Sequence, residues 1–343
     1  MSDSRVTNKL DYITFLQSFA VTLVIVGHCL PKVNVGDIYP FWAKILHSLV
    51  YSFHMPLFFV IGGFLLMHSF YKQSSSINNF KDFIVNKIKR LIIPYCSVGT
   101  VAYLLKIFVF NKFAYRPAEA SIMYYIKSMI IPWNNPNMYL WFLPTMFLIL
   151  LIGYVVLSKE NHKSFSSIWI LPIFIISFLS NYSHFEILNI TGVLYYTFFF
   201  FIGILLYEFR TIMFHYFSNY GIILVVFLFF LEYFLLPEFQ LNCFNYLLKY
   251  LVAISGIILS FSLALFCAEN KKKFLYGLID GKYYQIYLLS WFFQCGTRIF
   301  YQMHIVNYPT VCLIMLISSF VFPLLITYLI KRFLPILKVF IGL

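Results

Sequence analysis

The sequence predicts an all-α, polytopic integral membrane protein with about ten transmembrane helices. Hydrophobic residues make up 62% of the 343 and charged residues only 11%, with a mean hydropathy of +0.84. That is more apolar surface than a soluble domain of this length has interior to bury. Ten apolar runs are long enough, or nearly so, to cross about 30 Å of hydrocarbon at about 1.5 Å of rise per residue. None breaks into the short alternating segments and turns that a spanning barrel requires.

The runs fall near 12–31, 44–68, 88–110, 137–157, 167–181, 190–209, 219–236, 245–267, 282–303 and 308–335. The first follows a polar start, "MSDSRVTNKLDY", and no small-residue cleavage signal comes after it, so it reads as a retained helix. The second carries Pro56, which frees a backbone carbonyl, and the Gly62–Gly63 pair, which permits close helix approach. The third opens on Lys87, Lys89 and Arg90 and holds Lys106 further along. The linker 111–136 is the longest and suits an interfacial amphipathic helix ending at Trp133. Asn134, Asn135, Tyr139 and Trp141 stand at the start of the fourth run, and 167–181 is the shortest span. Glu208 and Arg210 close the sixth as a surface pair, Lys249 lies in the eighth, a Lys271–Lys273 patch precedes the ninth, and Arg298 lies within the ninth.

Net charge is +13, but most basic residues fall in short loops between apolar runs, where they act as topology signals and mouths for anionic ligands; nucleic acid is not the expected partner. With ten helices both termini share a side, and that side holds 17 of the 25 Lys and Arg, so both termini are expected in the cytoplasm. Six cysteines lie scattered, without a CxxC and without histidines at ligand spacing. Neither a disulfide framework nor a metal site is expected.

Histidines supply the chemistry. Gln17 and His28 are eleven residues apart, about 1100° of rotation or three turns plus about 20°, so they share a face about 16 Å apart along the axis. In the next helix His47, Tyr51 and His54 stand four and three apart on one stripe. A single intramembrane histidine can simply bond a neighbouring helix, but two on adjacent antiparallel helices in one half of the bilayer point to function. Lys87, Lys89 and Arg90 suit either lipid phosphates or the phosphates of an anionic cofactor. The amide and aromatic mix at Asn134, Tyr139 and Trp141 suits a sugar, although Trp141 taken alone fits an interfacial aromatic belt somewhat better. Lys106, Lys249 and Arg298 share the outer half of the membrane with the histidines.

The stretches "LQSFAVTLVIVGHC", "YSFHMPLFFVIGGFLL", "KIKRLIIPY", "LWFLPTMFLI", "YYTFFFFIGILLY" and "YYQIYLLSWFFQCGTRI" together resemble the membrane acyltransferase family 3, in particular its fucose 4-O-acetylase-like branch. The resemblance implies one transmembrane acyltransferase domain over 1–343, in the bacterial inner (cytoplasmic) membrane. It implies transfer of an acetyl group from acetyl-CoA to a hydroxyl of a cell-envelope sugar or polysaccharide, often lipid-linked, with no metal. His28 and His54 match the family's histidines. Lys87, Lys89 and Arg90 match its basic group beside the acyl donor, and Trp141 its aromatic position. Asn134, Tyr139, Arg298 and Lys106 join Trp141 as expected acceptor contacts. Two positions depart from the pattern: Gln17 stands where the family usually carries a cation, and Ser290 where it often has histidine. A transporter or flippase for a lipid-linked saccharide or acyl donor is the alternative, an inactive member of a synthesis complex a third reading, and a homo-oligomer is left open.

Overall fold

The computed structural model describes residues 11–33, 37–72, 79–113, 116–159, 165–212, 242–269, 277 and 279–343. Among these, secondary structure is helical and no strand occurs. We number the helices α1 (Asp11–His28), α2 (Phe41–Tyr71), α3 (Phe80–Phe113), α4 (Ile122–Ile130), α5 (Met138–Ser158), α6 (Ser167–Tyr182), α7 (Ile187–Glu208), α8 (Asn242–Glu269), α9 (Tyr283–Gln302) and α10 (Tyr308–Phe333). By length and composition α2, α3, α5, α7, α8 and α10 can each cross a membrane, and α1 and α6 are shorter apolar helices. α9 is long enough but carries buried polar residues, Gln285 and a stripe of Ser290, Gln294 and Thr297. The expected span 219–236 and the Lys271–Lys273 patch lie outside the described residues.

α2 stands at the centre and packs on α1, α5, α7 and α8. Its contact with α7 is the most extensive, and glycine explains how. A Cβ on Gly63 would sit 1.9 Å from the Phe200 carbonyl oxygen, and one on Gly203 would sit 2.0 Å from that of Val60. The two backbones therefore touch reciprocally. In lipid no hydrophobic gain draws helices together, so this van der Waals contact must supply the association, and only residues without side chains permit it. Phe59, Phe64, Phe199, Phe200 and Phe201 fill the space around the crossing.

α3 begins earlier than the apolar run, because Asn79 caps it by accepting from the Lys81 amide. It is α-helical except for π segments at Ile88–Ile92 and Lys106–Phe110 and a closing 3-10 turn, Asn111–Phe113. The first has a clear cause. Pro94 has no N–H and its ring crowds the carbonyl four residues back, that of Arg90, so the helix widens there. The Tyr284 hydroxyl of α9 donates to that freed carbonyl, which ties α3 to α9. α4 lies along α3: the Tyr95 hydroxyl donates to the Met129 carbonyl at 2.9 Å, and Thr100 bonds the Tyr125 hydroxyl at 2.8 Å. The linker thus does contain a helix, which stops at Ile130; Pro132 opens a separate 3-10 turn, Pro132–Asn134, that holds Trp133. At the end of α7, Glu208 accepts from the Phe165 amide and Arg210 lies over the Tyr207 ring at 4.3 Å.

Candidate acyl-transfer site

α1 ends at His28 and α2 runs back antiparallel past it, so the last turn of α1 faces the histidine stripe of α2. Tyr51 is the centre of the resulting cluster. Its hydroxyl lies 2.7 Å from His28 Nδ1, its ring stacks on His47 at 4.0 Å, and it meets His54 edge to face at 4.9 Å. His28 in turn stacks on Tyr139 at 3.7 Å. The two imidazoles expected to act together are therefore joined through one phenol.

Their surroundings differ. His28 is half-buried and Tyr51 is exposed, whereas His54 is only 2% exposed. His54 Nδ1 lies 2.7 Å from the Val50 carbonyl oxygen. A carbonyl only accepts, so the neutral ring carries its proton on Nδ1 and presents Nε2 as a lone pair. A neutral His54 thus donates its one N–H to Val50 and is a proton acceptor at Nε2. His28 has no such constraint, since a phenol can give or accept.

The wall behind His28 comes from α5 and α9. The Tyr139 hydroxyl donates to Gln294 Oε1 at 2.8 Å, Gln294 Nε2 lies 3.7 Å from Cys29 Sγ, and the Tyr287 hydroxyl donates to the Tyr139 carbonyl. Arg298, one turn beyond Gln294, acts electrostatically on Tyr139. Lys106 and Arg298 both act electrostatically on Cys295, which in turn acts on Tyr139. Lys249 is exposed and lies over the Tyr246 ring at 5.2 Å, apart from this group.

Trp141 belongs to a ladder of near-parallel rings. Phe59 stacks on Tyr196 at 4.4 Å, Tyr196 on Trp141 at 5.3 Å, and Trp141 on Trp133 at 5.2 Å. Asn189 fixes the end of the ladder, accepting from Trp133 Nε1 at 3.1 Å and donating to Thr145 Oγ1 at 2.9 Å from a left-handed backbone, φ 54°. Asn134 is half-buried in the turn that carries Trp133, while Asn135 and Asn137 serve the backbone: each accepts an amide two residues on.

At the opposite end of α1, Gln17 and Arg90 both reach the Tyr283 hydroxyl. Lys87 lies beside Arg90 and over the Phe83 ring at 5.1 Å, and Lys89 is exposed on the same turn. The basic group and Gln17 thus do meet, about 16 Å of helix from His28. Ser290 is fully buried and donates to the Tyr287 carbonyl at 3.4 Å.

Sequence reasoning gave no role to Tyr51, Gln294, Trp133 or Asn189. Gln294 was within reach of it, since it stands one helical turn before Arg298. Asn189 was not: no pattern announces a left-handed residue ahead of a helix. Among the described residues no group of His, Cys, Asp or Glu is disposed to hold a metal ion.

These features define a helical membrane protein with an imidazole centre at one end of a helix and a cationic cluster at the other. A family model described as an acyltransferase domain matches residues 10–330, and the chain belongs to the acyltransferase 3 family. Nodulation protein NolL of Mesorhizobium japonicum is 30% identical over 101 residues, 29% of this chain and 26% of that protein. NolL of Sinorhizobium fredii is 29% identical over 100 residues, 28% of this chain and 26% of its own length. The aligned part thus spans about a quarter of each relative. No solved structure matches.

Proposed function

We propose that this protein is a membrane-bound O-acetyltransferase that moves an acetyl group from cytoplasmic acetyl-CoA to a hydroxyl of a cell-envelope sugar, part of a lipid-linked O-antigen or other surface polysaccharide. Its setting in this reading is the bacterial inner membrane, with both termini cytoplasmic. The observation that carries it is the His28–Tyr51–His54 cluster, at the end of α1 opposite the Gln17, Arg90 and Lys87 group.

Transfer from a thioester to an alcohol needs the hydroxyl proton removed, the reactants aligned and the oxyanion stabilised. His28, the more accessible imidazole, is the general base: with Nδ1–H donating to the Tyr51 oxygen, its Nε2 is free to take the proton. The alkoxide then adds to the thioester carbonyl, and collapse of the oxyanion breaks the carbon–sulfur bond. The departing CoA thiolate takes back the proton that His28 holds. His54, whose Nε2 accepts, is a second proton acceptor deeper in the bundle. Arg298 contributes positive potential on the Tyr139 side. Arg90, Lys87 and Lys89, with Gln17, hold the phosphate-bearing end of CoA so that its thin arm runs inward along α1 and α3. Tyr139 offers the sugar the ring face turned away from His28, and Trp141, stacked between Tyr196 and Trp133, offers its edge, with Asn134 at the mouth and Lys106 and Arg298 as the nearby cations.

The test is purified protein in lipid nanodiscs with radiolabelled acetyl-CoA and an envelope glycan fraction. Label should enter the glycan, and His28→Ala should reduce it by about 10²- to 10⁴-fold, the range general base catalysis supplies, while the variant keeps its helical circular dichroism. An unlabelled glycan with the intact protein, the outcome expected of a transporter or a scaffold, refutes the reading; full activity in His28→Ala refutes the role of His28.

A further inference from the structure

Leu30, Lys32 and Val33 just past α1, Tyr39 ahead of α2, and Lys44 and His47 in its first two turns line an open cavity of about 460 Å³. That size suits a small ligand or the head of a larger one. Two of its six wall residues bear ammonium groups, one an imidazole and one a phenol, and among the described residues no carboxylate lines it. Asp37, the acid nearest in sequence, accepts from the Tyr301 hydroxyl of α9 at 2.8 Å. Lysine binds phosphate as a compact point charge with three donors, and two of them on one wall match the double charge of a phosphate or pyrophosphate.

The cavity is also well placed. His47 forms part of its wall and stacks on Tyr51 at 4.0 Å, and Tyr51 bonds His28. A ligand anchored there by an anionic head can extend its remainder along Tyr51 to the imidazole.

We propose that Lys32 and Lys44 form a phosphate-binding site that holds the phosphate or pyrophosphate of a lipid-linked acceptor, beside the imidazoles and at the opposite end of α1 from the donor's cations. The identity of the acceptor rests on the acetyltransferase reading; the anion site itself does not. A membrane phospholipid offers the same chemistry, so the experiment must separate the two sources.

Full-length protein in nanodiscs of zwitterionic phosphatidylcholine would be titrated with inorganic pyrophosphate and with a polyprenyl phosphate, without acetyl-CoA. Binding would be read by thermal shift and by competition between the two probes. Both should bind and compete, and the Lys32→Gln/Lys44→Gln double variant should bind each about tenfold or more weakly. Melting of the unliganded variant should stay within about 2 °C of the parent, because both side chains are exposed. Unchanged affinity in the variant, or no binding by the parent, overturns the site. Displacement of pyrophosphate by phosphatidylglycerol in the discs as readily as by polyprenyl phosphate overturns the acceptor and leaves a general lipid site. The two readings fail separately: a protein that binds pyrophosphate yet never labels a glycan loses the transferase reading alone, and one that labels glycan without a lysine-dependent anion site loses only this proposal.

Discussion

Replacing Tyr51 by phenylalanine removes one oxygen and leaves the ring. The phenyl group still stacks on His47 at 4.0 Å and still meets His54 and His28 edge to face, at 4.9 and 5.5 Å, so packing is retained. What is lost is the 2.7 Å contact between the hydroxyl and His28 Nδ1. A net hydrogen bond of this kind contributes about 0.5–1.5 kcal/mol, and one to a ring that becomes cationic during the reaction about 1.5–3 kcal/mol. If Tyr51 holds the Nδ1 proton and stabilises the imidazolium, the larger range applies to the transition state, where the ring is charged. The expected loss is therefore about 10- to 150-fold in kcat, at about 1.4 kcal/mol per factor of ten, with KM for acetyl-CoA little changed. The assay is glycan labelling at saturating acetyl-CoA, together with a cycle in which Tyr51→Phe is combined with His28→Ala. Because the hydroxyl acts through His28, it should cost almost nothing once the imidazole is gone. Equal losses in both backgrounds, or a raised KM with kcat intact, would refute the argument that Tyr51 orients His28 as base.

Gly63→Ala drives a methyl group into the Phe200 carbonyl and should destabilise the protein by about 1–3 kcal/mol or more, read as lower melting in detergent, whereas the same change at Gly296, where nothing lies within 4 Å, should be tolerated. Lys89→Ala/Arg90→Ala should raise KM for acetyl-CoA with kcat kept; an unchanged KM removes the pair from the donor site. Asn189→Ala loses two hydrogen bonds and keeps a Cβ at φ 54° without the amide that lets asparagine tolerate the left-handed region, and should cost about 2–3 kcal/mol, while Asn189→Gly should recover the backbone part; equal melting of the two variants would count against strain at this residue.

Much of this fold could be read along the chain because bilayer thickness sets a length and lipid excludes unpaired backbone. Those constraints act locally, so runs such as 44–68 and 308–335 announce themselves without reference to any partner. Helix periodicity is local too: it put His47, Tyr51 and His54 on one stripe and Gln17 under His28. The pair Gly62–Gly63 signalled a close approach, although the sequence does not name the opposing Gly203. The end of α4 was misread by a few residues, since the effect of Pro132 on the helix before it competes with an apolar run that continues through it.

By itself, then, the sequence determined a helical membrane protein, the faces of its helices and the imidazoles that share them. Only the tertiary structure decided that Tyr51 stands between His28 and His54, that the Val50 carbonyl makes His54 an acceptor, and that Gln17 and Arg90 meet on Tyr283. The physical reason is range. Hydrophobic length and helical rotation are properties of a single segment, whereas a hydrogen bond between helices depends on their crossing, which here is set by glycine contacts between α2 and α7 and by the proline-widened turn that carries Lys89 and Arg90.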